Sequence, residues 1–387
     1  MHKQQNAENF PLISTNGVLR PTYVEVNLPN IKFNYEQIKK QVGNAAVMPV
    51  LKANAYGHGL VRVAKFFDSL NVKYIGVAVL EEGILLRENG VQSPILVLGG
   101  ILGNQIPLFL KYDLTITASS IEKLNQIEEV AAEMNKSAKI HLKIDTGMER
   151  IGVHYYNAEK FLEYAFSLKH IFVEGIFSHF ANATEKDLSK TKIQLNRFLE
   201  ILDFAEKEKF EIPLKHIANS GAILQLPESY LNMVRPGIIL FGVYPSSEVQ
   251  KTFEIKPALE WKSRVVYFKV IKAGNPVGYG WTWKPKENIR AVTVPVGYGD
   301  GYFRSMSGKA KVIIRGKRYT VIGTISMDQI VVNIGKDSAF NNDVVTLIGK
   351  QGDAEITVEE LANWAGTIPY EILTNINTRV PRIYKED

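Results

Sequence analysis

The chain has 387 residues, a net charge of +6, 45% hydrophobic and 22% charged residues, and no cysteine. That length exceeds a typical single core, so two domains are expected. The missing cysteines exclude disulfides, thiolate nucleophiles and cysteine-ligated metals, and they suit a reducing compartment.

From the N-terminus, residues 1–20 are polar and lack the apolar core of roughly 7–15 residues that a signal peptide needs. They read as a loose arm. No later run approaches the about 18 apolar residues of a membrane span. A cytoplasmic protein with no membrane partner is the expectation. Basic residues are scattered; the densest group, "IIRGKRY", alternates like a strand face, so no nucleic-acid partner is expected.

After a first strand, "TYVEVNL" (22–28), short apolar and β-branched runs alternate with amphipathic helical stretches. The runs fall at 46–55, 74–80, 93–100, 114–119, 139–147, 172–180, 214–220 and 233–242. Eight strands alternating with helices predict an α/β fold, a parallel (β/α)₈ TIM barrel. Periodicity alone leaves a doubly wound sheet open, but no Gly-x-Gly-x-x-Gly follows the first of the eight. Beyond about residue 256 the texture becomes strands broken by Gly, Asn and Asp turns: "WKSRVVYFKVI", "NIRAVTVPVGYG", "KAKVIIRGKRYTVIGTI", "QIVVNIG" and "DVVTLIGK". One helix, "TVEELANWAG", interrupts them, with Thr357 and Glu360 placed for a capping box. The predicted domains are an arm (1–20), a barrel (21–255) and a C-terminal mostly β domain (256–387). The spare strand 22–28 is a candidate to cross over to the second domain.

In a barrel of this kind chemistry gathers at the C-terminal ends of the strands. Lys52, Lys143, Arg150, His179, Asn219, Ser220, Arg235 and Gly237 all fall there. A lone lysine at a strand end usually snorkels to water. A desolvated one has a lowered pKa and can form a Schiff base. Tyr56 and the Gly57-His58-Gly59 turn that follow Lys52 suit an anionic group held beside the amine. "ANSGA" and "RPGI" lie after strands seven and eight, where this fold seats phosphate. An amine with a phosphate seat describes a site for pyridoxal 5'-phosphate.

The motifs "VLKANAYGHG", "LKIDTGMERIG", "HFANA", "NSGA", "VRPGI", "VGYG", "GYGDGYFR" and "SMDQ", with the closing "RVPRIY", resemble those of alanine racemases, in chain order over nearly the full length. The resemblance implies a pyridoxal-phosphate enzyme that interconverts L- and D-alanine. It also implies a head-to-tail homodimer whose active sites are shared between subunits. Lys52 would carry the cofactor and act as one base. Tyr279 would be the opposite base, reaching in from the partner chain. Arg235 would donate to the pyridine nitrogen; an arginine does not give up its proton, so that nitrogen would stay unprotonated. His179 and Arg235 would tune the tyrosine. Tyr56, Ser220, Gly237 and Ile238 would hold the phosphate, with Asn219 beside them. Arg150 and the Met327 backbone N–H would take the substrate carboxylate, and Tyr298 and Arg304 would line the entrance. Lys143 matches a lysine that is carbamylated in many members. No metal ligand is assigned.

Two positions depart from the family pattern. Thr378 stands where a tyrosine commonly touches the phosphate and flanks the side-chain pocket. Thr324 and Ser326 replace an arginine and a cysteine near "SMDQ". Both departures suggest room for serine or other larger side chains. Two other functions fit parts of the pattern: a decarboxylase of the same barrel-plus-β architecture, and a non-catalytic carrier of the cofactor. The first normally uses a cysteine that this chain lacks; the second is typically a barrel alone.

Overall fold

The computed structural model describes residues 20–386. The arm expected over 1–20 therefore lies outside the described residues except for Arg20, whose guanidinium donates to the Asp300 carboxylate.

The chain forms two units. One is Asn30–Lys256; the other joins the described residues up to Pro29 to those from Pro257 onward. The spare strand explains the split. Tyr23–Asn27 pairs antiparallel with Leu259–Arg264 and parallel with Arg382–Lys385. It belongs to the β unit, not to the 21–255 segment.

In the unit Asn30–Lys256, eight parallel strands follow one another around a ring. They are Ala46–Val47, Ile75–Val77, Ile95–Val97, Ile116–Ala118, Ala138–Asp145, Ile171–Phe177, Leu214–His216 and Met233–Val234. Ladders or single bridges (Val50 to Gly76, Leu96 to Thr115) link the first seven in order. The Arg235 N–H donates to the Ala218 carbonyl at 2.9 Å, and the eighth strand pairs with the first. The ring is thereby closed, the barrel that alternation predicts. Its floor is a layer of side chains from several strands: Met48, Tyr74, Leu96, Leu214 and Met233. The surrounding helices bury one face each. In Ile121–Glu133 that face is Leu124, Ile127 and Ala131, and the Ser120 hydroxyl accepts the Lys123 N–H to cap the start.

Two strands stop earlier than their apolar runs. The regular part of the first ends at Val47, Val50 still bridges Gly76, and the backbone turns left-handed from Ala53 onward. The eighth ends at Val234, before Pro236, which has no N–H to give a ladder.

The β unit holds one ten-stranded sheet. "WKSRVVYFKVI", read as one strand, is two: Leu259–Arg264 and Tyr267–Ile271, paired with different partners. A second helix, Pro369–Asn375, opens with a proline at its first position and was not anticipated. The helix Val358–Ala365 carries the expected capping box, with Thr357 and Glu360 exchanging backbone-to-side-chain bonds of 3.2 Å.

Candidate active site

Lys52 opens an unusual stretch. Ala53, Asn54, Ala55 and Tyr56 all have φ between +51° and +57°, a turn of left-handed helix built without glycine. Each such residue costs about 1–2 kcal/mol, so the turn needs external support. Glu82 supplies it: one carboxylate oxygen accepts the Ala53 N–H at 2.6 Å and the other accepts the Ala78 N–H at 2.8 Å. The Asn54 side-chain amide oxygen, Oδ1, accepts the Leu60 N–H at 2.8 Å, tying the far end to the next helix. His58 is a core residue, stacked on Phe241 at 4.2 Å.

The Lys52 amine is mostly removed from water. Burial lowers its pKa first; the Arg150 and Arg235 guanidiniums lower it further, against the opposing pull of Glu82. Lys143 is 3% exposed, and burial with Arg235 and Arg150 brings its amine down to about 7, with Asp145 opposing. Burial brings Arg235 down to about 9, so at neutral pH it remains a cation. His179 is held well below its ordinary value, chiefly by burial and then by Arg235 and its cationic neighbours; it stays neutral. Asp145 cannot balance this charge alone. Its oxygens are committed to the Gly147, Met148 and Arg150 N–H groups at 2.8–3.2 Å, which fixes the loop that carries Arg150. Two guanidiniums and two lysine amines with so few anions make a site for an anionic ligand.

A seat lies beside them. The Gly237 N–H donates to the Ser220 hydroxyl at 3.0 Å. A Cβ on Gly237 would fall 2.2 Å from the Tyr56 hydroxyl, so only glycine lets that oxygen approach the backbone. Asn219 caps the helix Ser220–Gln225 by accepting the Ala222 N–H at 3.1 Å. Ile238 follows Gly237 at the start of a short 3₁₀ turn. Tyr56, Ser220 and Gly237 are thus brought together, with Asn219 and Ile238 adjoining them in the chain.

The β unit gathers its own set. The Tyr279 carbonyl accepts the Thr324 hydroxyl at 2.9 Å, which lays the Tyr279 turn on the strand end leading to Met327. The Tyr298 and Gly299 N–H groups donate to the Ser326 and Met327 carbonyls at 3.0 and 2.9 Å. Asp328 and Asp300 both pair with Arg379, the residue after Thr378. Tyr279, Met327 and Tyr298 are 72%, 51% and 42% exposed, and Arg304 and Thr378 are also exposed.

Among known proteins, the family model "Alanine racemase, N-terminal domain" matches residues 26–245 and "Alanine racemase, C-terminal domain" matches residues 258–384. An alanine racemase of Carboxydothermus hydrogenoformans is 44% identical over 95% of this chain and 100% of its own length. The chain belongs to the alanine racemase family. It is an enzyme of that family. Solved alanine racemases of Clostridium difficile 630 and Streptomyces coelicolor A3(2) superpose with TM-scores of 0.91 and 0.92, at 39% and 32% identity. Each superposition covers at least 95% of both chains.

Against the family motifs, sequence reasoning missed Glu82, His141 and His216. Glu82 follows the second strand and could have been found by the strand-end rule that found Lys52. His141 and His216 lie inside the barrel; His141, Lys143 and Asp145 alternate along one strand and so share a face. Among the described residues no cluster of three or more His, Asp or Glu is placed to hold a metal, and no helix is long and apolar enough to cross a membrane.

Proposed function

We propose that the enzyme racemises alanine with pyridoxal 5'-phosphate held in the unit Asn30–Lys256, as a homodimer in the cytoplasm. The cofactor fits the residues present: an amine of lowered pKa for its aldehyde, a cradle at Gly237 that a Cβ would fill, and a surplus of cations for its phosphate and the substrate carboxylate. When bound, it takes the substrate amine in covalent linkage and spreads the electron pair left at Cα after proton loss.

The chain does the rest. Ser220, Tyr56 and the Gly237 and Ile238 backbone hold the phosphate, with Asn219 bracing the helix start. Arg235 presents N–H donors only and so leaves the pyridine nitrogen without a proton. Arg150 and the Met327 N–H orient the carboxylate. Lys52 Nζ takes or returns the α-proton on one face, and the Tyr279 hydroxyl of the partner subunit serves the other. Two bases are needed, because a single one would tend to return the proton to the side it left. His179, bonded to Arg235 at 3.3 Å, belongs to the polar chain that faces the phenol. Tyr298 and Arg304 line the approach. The exposure of Tyr279, Trp281 and Met327 on one protomer supports a surface that another chain covers. Lys143, near neutrality, can take up CO₂ and become an anion that braces Arg150.

The observation that carries this is the half-buried Lys52 amine on a turn that Glu82 pins, its pKa lowered by burial and by the Arg150 and Arg235 guanidiniums. Circular dichroism of L-alanine incubated with wild type and with Lys52→Ala tests it. Loss of optical activity with the first only is expected. Activity surviving in Lys52→Ala would contradict it. Thr378 favours a second substrate: a hydroxyl where a phenol commonly stands leaves space for serine, to be measured as kcat/KM against alanine.

A further inference from the structure

Behind Arg235, away from the rim, lies a line of polar groups to which the proposed chemistry gives no role. Arg235 Nη1 donates to His216 Nδ1 at 2.7 Å. His216 Nε2 and His141 Nδ1 are 2.8 Å apart. His141 Nε2 faces Glu174 Oε2 at 4.0 Å and has no hydrogen-bond partner among the described residues. Tyr74 donates its hydroxyl proton to the same Glu174 oxygen and accepts from Thr115 at 2.7 Å. The line runs from the barrel floor, where Tyr74 packs, to the guanidinium at the rim.

The proton positions follow from one fact: an arginine has only donors. His216 Nδ1 must then accept, so its proton sits on Nε2. His141 Nδ1 must accept that proton, so its own sits on Nε2 and points at the Glu174 carboxylate. Both rings are neutral. Burial and then Arg235 hold His141 down to about 3, and burial first among several causes holds His216 well below its ordinary value. Burial and the Glu174 carboxylate raise Tyr74, which keeps it a donor.

The strand carrying Glu174 is shaped for this. Its register with Ala138–Asp145 slips so that Ile140 pairs with Val173 and His141 with Gly175. Glu174 is therefore the extra residue of a bulge, a device that re-aims a side chain. At Gly175 a Cβ would lie 2.6–2.8 Å from three atoms of the His141 ring, so the imidazole occupies the place of a side chain. Phe177 completes the setting, stacked on His216 at 4.9 Å with the Arg235 guanidinium 5.3 Å from its ring centre.

We propose that Glu174, His141 and His216 are positioning residues, a relay of fixed tautomers anchored on a carboxylate that holds the Arg235 guanidinium in one orientation. The carboxylate draws the His141 Nε2 proton, which makes each successive ring nitrogen a better acceptor toward Arg235. Its consequence for turnover rests on the proposed function; the tautomers themselves do not.

The test is ¹⁵N-histidine labelling of the holoenzyme, with long-range proton–nitrogen spectra assigned by single histidine replacements. Both rings should appear as neutral Nε2–H forms. Glu174→Gln should move the nitrogen signals of His141 and His216 together. It should also lower kcat about tenfold with cofactor content and KM kept, the scale of a small misplacement. Tyr74→Phe, which removes one donor from the carboxylate, should shift the same signals and serves if the glutamine variant does not fold. An Nδ1–H ring, an imidazolium at either position, or histidine signals that neither variant moves would overturn the relay. Because the spectra need no substrate, a wild type that fails to racemise alanine would contradict the functional proposal and not the relay.

Discussion

The backbone N–H of Ala53 donates to Glu82 Oε1 at 2.6 Å, which places a carboxylate directly under the residue that follows Lys52. The contact supports four consecutive left-handed residues and sets an anion near the amine. Glu82→Ala is expected to lower stability to urea by about 1–2 kcal/mol through two orphaned N–H groups. Glu82→Gln keeps one acceptor oxygen and should lose less. Equal losses would mean that the carboxylate acts by charge and not by holding the turn.

Gly237→Ala should drive the Tyr56 ring away, since the new methyl meets the hydroxyl at 2.2 Å. Cofactor affinity, read by absorbance titration, should fall at least about tenfold, or about 1.4 kcal/mol. Adding Tyr56→Phe should restore part of the stability to urea that Gly237→Ala costs, because the phenolic oxygen is the first atom struck. A double variant worse than the single would place the clash elsewhere.

Lys143 gives a signed pH effect. Burial pushes its amine down to about 7 in the folded protein, from the ordinary lysine value of about 10.5. Between those values the unfolded chain binds the extra proton, so this group makes stability rise as pH rises from about 7 to 10. Lys143→Met should be more stable than wild type at pH 7 and should lose that part of the slope. Bicarbonate should suppress the slope in wild type, with a mass gain of one CO₂ at Lys143. A slope unchanged in Lys143→Met would assign it to another group, such as Lys52.

Asp300 is fully buried and pairs with both Arg20 and Arg379 while accepting the Gly297 N–H at 3.0 Å. Asp300→Ala removes the anion shared by two partly exposed guanidiniums and orphans the Gly297 N–H, and should destabilise the protein by about 1–2 kcal/mol. The Tyr298 loop should exchange its amide protons faster. Protection unchanged in that loop would show that Asp300 does not hold it.

The barrel was legible because its strands are buried on both faces and its helices are amphipathic, so composition and period agree. Strand ends were less so. Lys52 was read as the end of a strand, while the chain there is left-handed, a conformation that "KANA" does not announce without glycine. Val265 and Val266 hid a break, since a strand that changes partners keeps its β-branched residues. Pairing order and the bulge at Glu174 depend on contacts distant in sequence. The site residues matching family motifs were visible as residue types at strand ends. Glu82, His141 and Glu174 were not, because they act on other residues and not on a ligand.

The account turns on Lys52 and Tyr279 working from opposite faces. The most direct measurement is exchange of the α-hydrogen of L- and D-alanine in deuterated water, followed separately for wild type and Tyr279→Phe. The variant should keep the visible absorbance of bound cofactor, exchange D-alanine through Lys52, and lose exchange of L-alanine by a far larger factor. Equal loss for the two isomers, or none for either, would contradict it.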